Sequence, residues 1–246
     1  MKNRHWQLWL SLFLIILSVL LYFLHFLIFR DAHHIFIYLL GDIAYIPVEV
    51  LIVTLIIHRL LVSREKRSML KKLNMVVGAF FSEVGIKLIK DFSVLDPNVQ
   101  KIRESLSLNS SLTDNKFKQL RNFLKEYEYL VTVDSDSLEK LKEFLVGKRD
   151  FLLRLLENPN LLEHERFSEL LWAVFHFTEE LSGRSSFYEL PDKDYEHLAG
   201  DIKRVYKAIT LEWVEYMRHL NSDYPYLFSL AMRTSPFNLS ASVIIK

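Results

Sequence analysis

The pattern of hydrophobic and polar positions divides the chain into an almost wholly apolar N-terminal part and a long amphipathic remainder. An apolar run covers residues 6–29, and a second covers residues about 40–62. Each run is long enough for an α-helix to cross the hydrocarbon core of a bilayer, which takes roughly 20 residues. The link between them, RDAHH at 30–34, is so short that the two helices must be antiparallel neighbours. The pattern therefore predicts a two-helix transmembrane hairpin.

A cleaved signal peptide is the alternative interpretation of the first run. Its apolar region would be about 7–15 residues long and would end in a cleavage site of small residues. The run here is longer, and no such site precedes Arg30. The pattern favours a retained first helix.

After the second apolar run, apolar residues recur at helical spacing and are separated by turn residues. Residues 64–90 are predicted to form one helix that continues out of the membrane. Asp134 followed by Glu139 is typical of a helix N-terminus. The remaining helices are predicted at about 115–131, 134–157, 161–182 and 193–220, with a short one beginning after Tyr224.

The chain has only six Gly and six Pro residues, which disfavours a turn-rich all-β fold. The predicted fold class is all-α, an N-terminal two-helix transmembrane hairpin followed by a cytoplasmic helical bundle. The hairpin covers residues 1–62, a basic juxtamembrane helix covers 63–92, and the cytoplasmic helical domain covers 93–246.

The distribution of charge predicts the orientation of the hairpin. The formal net charge is only +1, which gives no drive toward nucleic acid. Residues 1–130 nevertheless carry 17 Lys and Arg against 11 Asp and Glu, and residues 131–246 carry 14 against 19. Basic residues flank the hairpin on the side of both termini, so both termini are predicted to be cytoplasmic, in the inner (plasma) membrane. The residues expected to contact the headgroups of an anionic cytoplasmic leaflet are Arg59, Arg64, Lys66, Arg67, Lys71 and Lys72.

Two carboxylates interrupt the second apolar run. Glu49 lies about two turns inside the membrane if the helix begins near Ile43, and it follows Pro47 by two residues. Ionisable groups at that depth face a protein interior or water, so Glu49 handles an ion or proton, or it makes a structural hydrogen bond. Asp42 follows Gly41 and is interpreted as a helix N-cap, although it would share a face with Glu49 on a continuous helix.

Small side chains form a stripe on the juxtamembrane helix at Gly78, Ser82 and Gly85. Such a stripe allows a second backbone to approach closely. Pro47, whose missing N–H frees a carbonyl one turn earlier in the second span, is predicted with these residues to take part in helix packing. Packing against the chain's own domain is the first interpretation, and self-association is the second.

No motif for catalysis or for a cofactor is evident. The chain has no cysteine, no phosphate-binding Gly-rich loop, no Gly-x-Ser-x-Gly elbow and no zinc-protease helix. Carboxylate-bridged metal bundles need Glu-x-x-His pairs on facing helices, and that order is absent. Catalytic residues, metal ligands and cofactors are therefore all predicted as none. The His and Glu residues that invite a metal interpretation are Glu163, His164, Glu165, His176, Glu179, Glu180, His197, Glu215 and His219.

Four phrases of the sequence, GDIAYIPVEVLIVTLIIHRLL, LNMVVGAFFSEVG, ELLWAVFHFTEEL and YPYLFSLAMRTSPF, resemble a group of prokaryotic two-span membrane proteins with no established activity. The resemblance covers most of the chain. It implies two spans with a cytoplasmic helical domain, and it carries over no catalytic residue.

The sequence thus predicts an integral membrane protein, not an enzyme, whose cytoplasmic helical domain binds a protein partner or assembles into a homo-oligomer. The alternative is a subunit of a small oligomeric ion channel or transporter that uses Glu49 and Asp42. Two helices cannot enclose a pore alone, so that function requires an oligomer. A membrane-tethered metal-binding helical bundle is the second alternative.

Overall fold

The structure of the chain, a computed structural model, is built from helices. It describes residues 2–107, 113–161 and 164–244, with the backbone but not the side chains of 2–5, 7–8, 66–72, 107 and 160. Within these ranges no residue belongs to a β-strand, so the all-α class is confirmed. The helices are α1 (Lys2–Phe29), α2 (Ala32–Phe80), α3 (Ile86–Leu95), α4 (Val99–Ser107), α5 (Asp114–Glu126), α6 (Ser135–Leu156), α7 (Glu165–Ser182), α8 (Asp192–Asp223) and α9 (Pro225–Arg233), with a π-helical turn at Phe81–Gly85 and a 3-10 turn at Pro159–Leu161.

The chain divides into two compact units, Met1–Lys66 and Arg67–Lys246, and α2 contributes residues to both. In the first unit a link of two residues joins α1 to α2. Arg30 has the left-handed φ of 49° and its N–H donates to the carbonyl of Phe26 at 2.8 Å, which ends α1. Asp31 then accepts the backbone N–H groups of His33 at 2.9 Å and His34 at 3.1 Å, as an N-cap does.

The interpretation of Asp42 as a helix N-cap is wrong. The helix α2 begins at Ala32, ten residues earlier, and Asp42 lies inside it. The physical reason is that Asp31 already caps the free N–H groups of the first turn, so the polar His33 and His34 belong to the helix rather than to the link.

The second unit is a bundle organised around the 32-residue helix α8, which packs against α3, α5, α7 and α9, while α6 packs against α7. The core is rich in aromatic rings in edge-to-face contact, an arrangement that the ring quadrupole favours. Phe92 lies 6.3 Å from Phe177 and 5.8 Å from Tyr206, measured between ring centroids. These contacts join α3, α7 and α8 in one core.

The segment after α5 is extended, although the sequence predicted a helix to about residue 131. The helix α5 ends at Glu126, and from Tyr127 to Val133 buried or half-buried residues then alternate with exposed ones. The Tyr129 hydroxyl bonds the Thr210 hydroxyl of α8 at 2.7 Å, and the Thr132 N–H donates to the carbonyl of Leu95 at 3.0 Å. The period of two in YEYLVTV indicates an extended chain, and these tertiary bonds hold it in place.

The predicted helix over 64–90 is not uniformly α-helical. The α-helix ends at Phe80, a π-helical turn follows, and α3 begins at Ile86. The wider turn places Phe80 and Phe81 in the core, where Phe80 lies 5.4 Å from Phe167 and Phe81 stacks on Tyr216 at 5.2 Å. Packing of two consecutive aromatic rings is the physical reason for the insertion.

The predicted start of α6 is confirmed. Asp134 is the N-cap and accepts the N–H of Ser137 at 2.9 Å. Glu139 does not complete a capping box, since its carboxylate accepts the N–H of Phe187 from a distant loop at 3.4 Å.

Candidate functional site

A polar pocket of about 270 Å³ lies in the helical domain beside α8. We call it the Glu212 pocket. Residues of α8 form most of its wall, the N-terminus of α7 contributes a second side, and the end of α2 a third. It is lined by Asn74, Val77, His164, Arg166, Glu212, Glu215, Tyr216, Arg218, His219, Ser222 and Asp223.

Helical spacing brings the α8 residues of the pocket together. Glu212, Glu215 and His219 follow each other at three and four residues, so they lie along one face of the helix. His164 reaches the pocket because it is the N-cap of α7, where its Nδ1 accepts the N–H of Phe167 at 3.1 Å. With Nδ1 as acceptor, a neutral His164 carries its proton on Nε2, which lies 3.8 Å from a carboxylate oxygen of Glu212.

Glu212 is the least ordinary residue of the pocket. It is 5% exposed, and no hydrogen bond to its carboxyl group forms within the described residues. The pKa of Glu212 is raised to about 7, mainly by burial and also by the neighbouring Glu215, while Arg166 and Arg121 oppose the shift. A carboxyl group in this environment changes its charge near neutral pH, a property concentrated at functional sites.

Glu215, one turn away, has the opposite environment. Arg121 of α5 forms an ion pair with it at 2.9 Å, and guanidinium nitrogens of Arg166 and Arg218 lie at 3.9 Å and 3.7 Å. The pocket therefore combines a carboxylate that cations surround with a carboxyl group that lacks a donor. Separation of two carboxyl groups by environment is the arrangement that acid–base sites use.

The two histidines of the pocket are neutral at neutral pH. Burial lowers the pKa of His164, and Arg166 lowers it further. Burial also lowers the pKa of His219, although the carboxylate of Asp223, 3.0 Å from its Nδ1, opposes the shift. Neither ring therefore provides a permanent positive charge next to Glu212.

A groove of about 350 Å³ lies between α1 and α2 in the first unit. Its polar lining residues are Ser18, Tyr22 and His25 on α1, spaced four and three residues apart, and Tyr38 and Asp42 on α2. The Nδ1 atom of His25 is buried and has no hydrogen-bond partner among the described residues. We call this the hairpin groove.

Of the predicted intramembrane residues, only Asp42 lines the hairpin groove. Glu49 is exposed on α2 outside the groove, and Pro47 lies inside α2 without ending it. Arg59 and Arg64 are exposed on the same helix. The side chains of Lys66, Arg67, Lys71 and Lys72 lie outside the described residues, so their headgroup contacts stay predictions.

The small residues of the predicted stripe have different surroundings. A Cβ atom on Gly78 would lie 3.1 Å from the hydroxyl oxygen of Tyr216 on α8. Ser82 is exposed, and Gly85 is in contact with the rings of Phe80 and Phe81. A helix-packing role shared by all three stays a prediction.

Most of the His and Glu residues considered as metal ligands lie beside side chains that can carry the opposite charge. Within the described residues no three His, Asp or Glu side chains are placed to hold a metal ion. His176 and His197 each lie within 4.0 Å of both Glu180 and Asp201. Arg184 joins Glu180 at 2.9 Å to Asp194 at 2.7 Å, so this cluster links the end of α7 to the start of α8. Glu163 lies outside the described residues.

Glu212, Arg121 and His25 were not predicted as site residues from the sequence. Glu212 lies on the face of α8 that also carries the core residues Ile209, Trp213 and Tyr216, and a carboxylate on an apolar face could have marked it. The spacing of Ser18, Tyr22 and His25 could likewise have marked one polar face of α1. Nothing in the sequence could have paired Arg121 with Glu215, since the contact is made between distant helices.

Comparison with known proteins gives two family models and one relative. The model described as "MJ1433, N-terminal helical domain" matches residues 2–61, and that described as "Uncharacterized protein MJ1433, C-terminal helical domain" matches residues 69–233. The chain is 44% identical to an uncharacterized protein, MJ1433 of Methanocaldococcus jannaschii, over 246 residues, which is 100% of this chain and 98% of the relative. No solved structure matches the chain.

Proposed function

The chain belongs to the MJ1433 family, which joins an N-terminal helical domain to a C-terminal helical one, and from that premise we propose a two-span membrane protein whose cytoplasmic helical domain binds a partner or self-assembles. One observation carries the proposal. Two helical segments are long and apolar enough to cross a membrane, Trp9–Phe29 and Ala32–Glu65. In the most apolar stretch of each segment, no residue is buried. Helices with apolar side chains on every side need a nonpolar solvent.

The lengths of these helices fit a bilayer. Twenty-one residues of α-helix span about 31 Å, close to the roughly 30 Å of a hydrocarbon core. The longer α2 leaves room for the basic residues after Arg59 to lie beyond the core, next to anionic headgroups. A helix from the core of a soluble protein would pass the same test of length and composition, but most of its residues would be buried.

The proposed topology, with both termini cytoplasmic, is tested with reporter fusions. We expect green fluorescent protein fused after Lys246 to fluoresce in bacterial cells and alkaline phosphatase at the same point to be inactive, because basic residues flank the hairpin on that side. Alkaline phosphatase fused after Asp31 is the matched control and is expected to be active. Active phosphatase after Lys246 would show the opposite topology.

The apolar surface of α9 supports the partner-binding half of the proposal. None of its residues is buried, and Tyr226, Leu227 and Leu230 are among the exposed large hydrophobic side chains of the domain. The helix is held to the bundle by Phe228, which contacts Phe117 of α5 at 6.3 Å between ring centroids. An exposed apolar face on a helix that is anchored in this way is typical of an interaction surface.

A subunit of an oligomeric channel or transporter is the second candidate function, and the hairpin groove supports it. The groove places Asp42 near His25 and two tyrosines within the apolar unit, where ionisable groups are costly. The first measurement is the mass of the detergent-solubilised particle, corrected for bound detergent. We expect a closed ring of four or more subunits if this function holds, with cation flux into liposomes that Asp42→Asn or Glu49→Gln reduces. A monomer or dimer would eliminate it and leave the partner-binding function.

A further inference from the structure

Among the described residues, the charged groups around the Glu212 pocket either lie close to an opposite charge or are exposed to water, and Glu212 is the exception. Glu215 has Arg121 at 2.9 Å, and Arg218 has Asp114 at 2.6 Å. Asp223 lies 3.0 Å from the neutral His219, and its side chain is 48% exposed to water. Arg166 lies 3.9 Å from Glu215. Of the basic side chains that the structure describes, only that of His164 lies within 4.0 Å of the Glu212 carboxylate, and its distance of 3.8 Å exceeds hydrogen-bond distance.

The group without a partner, the Glu212 carboxylate, is a hydrogen-bond acceptor, so a ligand that fits it must be a hydrogen-bond donor. An ionised carboxylate accepts hydrogen bonds and donates none, and a buried carboxylate without a donor is strongly unfavourable. An anionic ligand would compete with Glu215 and Asp114 for guanidinium groups that already have carboxylate neighbours. A cationic donor would instead complete the pocket without displacing an ion pair.

We propose that the Glu212 pocket binds a small organic cation through a primary ammonium group that donates to the Glu212 carboxylate. The side-chain oxygens of Asn74 and Ser222 are further acceptors in the wall, and Val77 with the ring of Tyr216 provides apolar surface for a short carbon chain. The volume of about 270 Å³ suits a molecule of a few heavy atoms. This site lies wholly in the helical domain and does not depend on the proposed membrane topology.

The test uses three probes of nearly the same shape that differ in charge: n-propylammonium, 1-propanol and propionate. Each is titrated into the purified full-length protein in detergent at pH 8, and binding is followed by calorimetry. We expect propylammonium to bind at least about tenfold more tightly than 1-propanol, because only the cation forms a charge-assisted hydrogen bond with Glu212. Propionate is expected to bind no better than 1-propanol.

Two variants assign the site. We expect Glu212→Gln to weaken binding of propylammonium by about tenfold or more, and Glu196→Gln, an exposed residue of the same helix, to leave it unchanged. Far-ultraviolet circular dichroism and thermal unfolding check that both variants are folded, and the contrast between the three probes needs no variant. Equal binding of 1-propanol, tighter binding of propionate, unchanged affinity in Glu212→Gln, or binding of none of the probes would each overturn the proposal.

Discussion

Replacement of Glu212 by Gln is expected to stabilise the helical domain at pH 8 by about 3 kcal/mol and to leave its stability near pH 4 almost unchanged. Burial raises the pKa of Glu212 from 4.5 to about 7, so between these values the folded state holds a proton that the unfolded state has released. The contribution of Glu212 to the free energy of unfolding therefore falls as pH rises from about 4.5 to about 7 and is constant above that. Glutamine has no proton to lose.

The measurement is urea unfolding of the full-length protein in detergent, followed by Trp fluorescence at several pH values. His164 and His219 have the opposite effect on the pH dependence of the free energy of unfolding. Their lowered pKa values make the folded state bind fewer protons than the unfolded state below about pH 6.5, so their contribution rises with pH. The quantity to compare is thus the difference between Glu212→Gln and wild type at each pH. The exposed Glu196→Gln is the control and should follow wild type. A difference that does not change between pH 4 and pH 8 would contradict the prediction.

Replacement of Gly85 by Ala is expected to lower the free energy of unfolding by about 1–3 kcal/mol. A Cβ atom at this position would lie 2.5 Å from Cδ1 of Phe81 and 3.1 Å from Cε1 of Phe80. Both rings are buried and packed against Phe167 and Tyr216, so they cannot move away without disturbing the core. The cost exceeds the gain of up to about 1 kcal/mol that Ala normally brings inside a helix.

Gly147 is the matched control for Gly85. It also lies inside a helix, α6, but a Cβ atom there would have no other atom within 4 Å. We expect Gly147→Ala to raise the free energy of unfolding by up to about 1 kcal/mol, through helix propensity alone. Thermal unfolding of the two variants beside wild type measures the contrast. Equal changes in the two variants would show that the π-helical turn does not require a glycine.

The parts of the fold that could be predicted from sequence are those fixed by local chemistry. The cap at Asp134 and the break before Pro225 depend on residues a few positions apart, and both were predicted correctly. The start of α2 was not predicted correctly. Asp31 and Asp42 are equally good N-caps, and the sequence does not show which of them accepts the free N–H groups of the first turn. Tyr127 and Tyr129 were predicted to be helical because aromatic residues fit both the helical period of 3.6 residues and the period of two of an extended chain.

The candidate site was harder to predict than the fold. Glu215 and His219 stood out as a possible metal pair because they are close in sequence, and the structure gives each a different partner, Arg121 and Asp223. The role of Glu212 depends on its burial and on the absence of a nearby donor, which only tertiary packing determines. A destabilising buried carboxyl group is typical of a position maintained for function rather than for stability.

The central position of α8 has a consequence for the order in which the domain can assemble on the ribosome. Phe92 of α3 packs on Tyr206 of α8, more than a hundred residues later in the chain. At about 5–20 residues per second, roughly 7–26 s pass between synthesis of Phe92 in α3 and of Asp223, the last residue of α8. If the hairpin spans the membrane as proposed, it can enter the bilayer during this interval, while the apolar faces of α3 and α5 are still uncovered. Chains that stop before Asp192 lack this partner helix, and we expect them to be removed by chaperones and proteases.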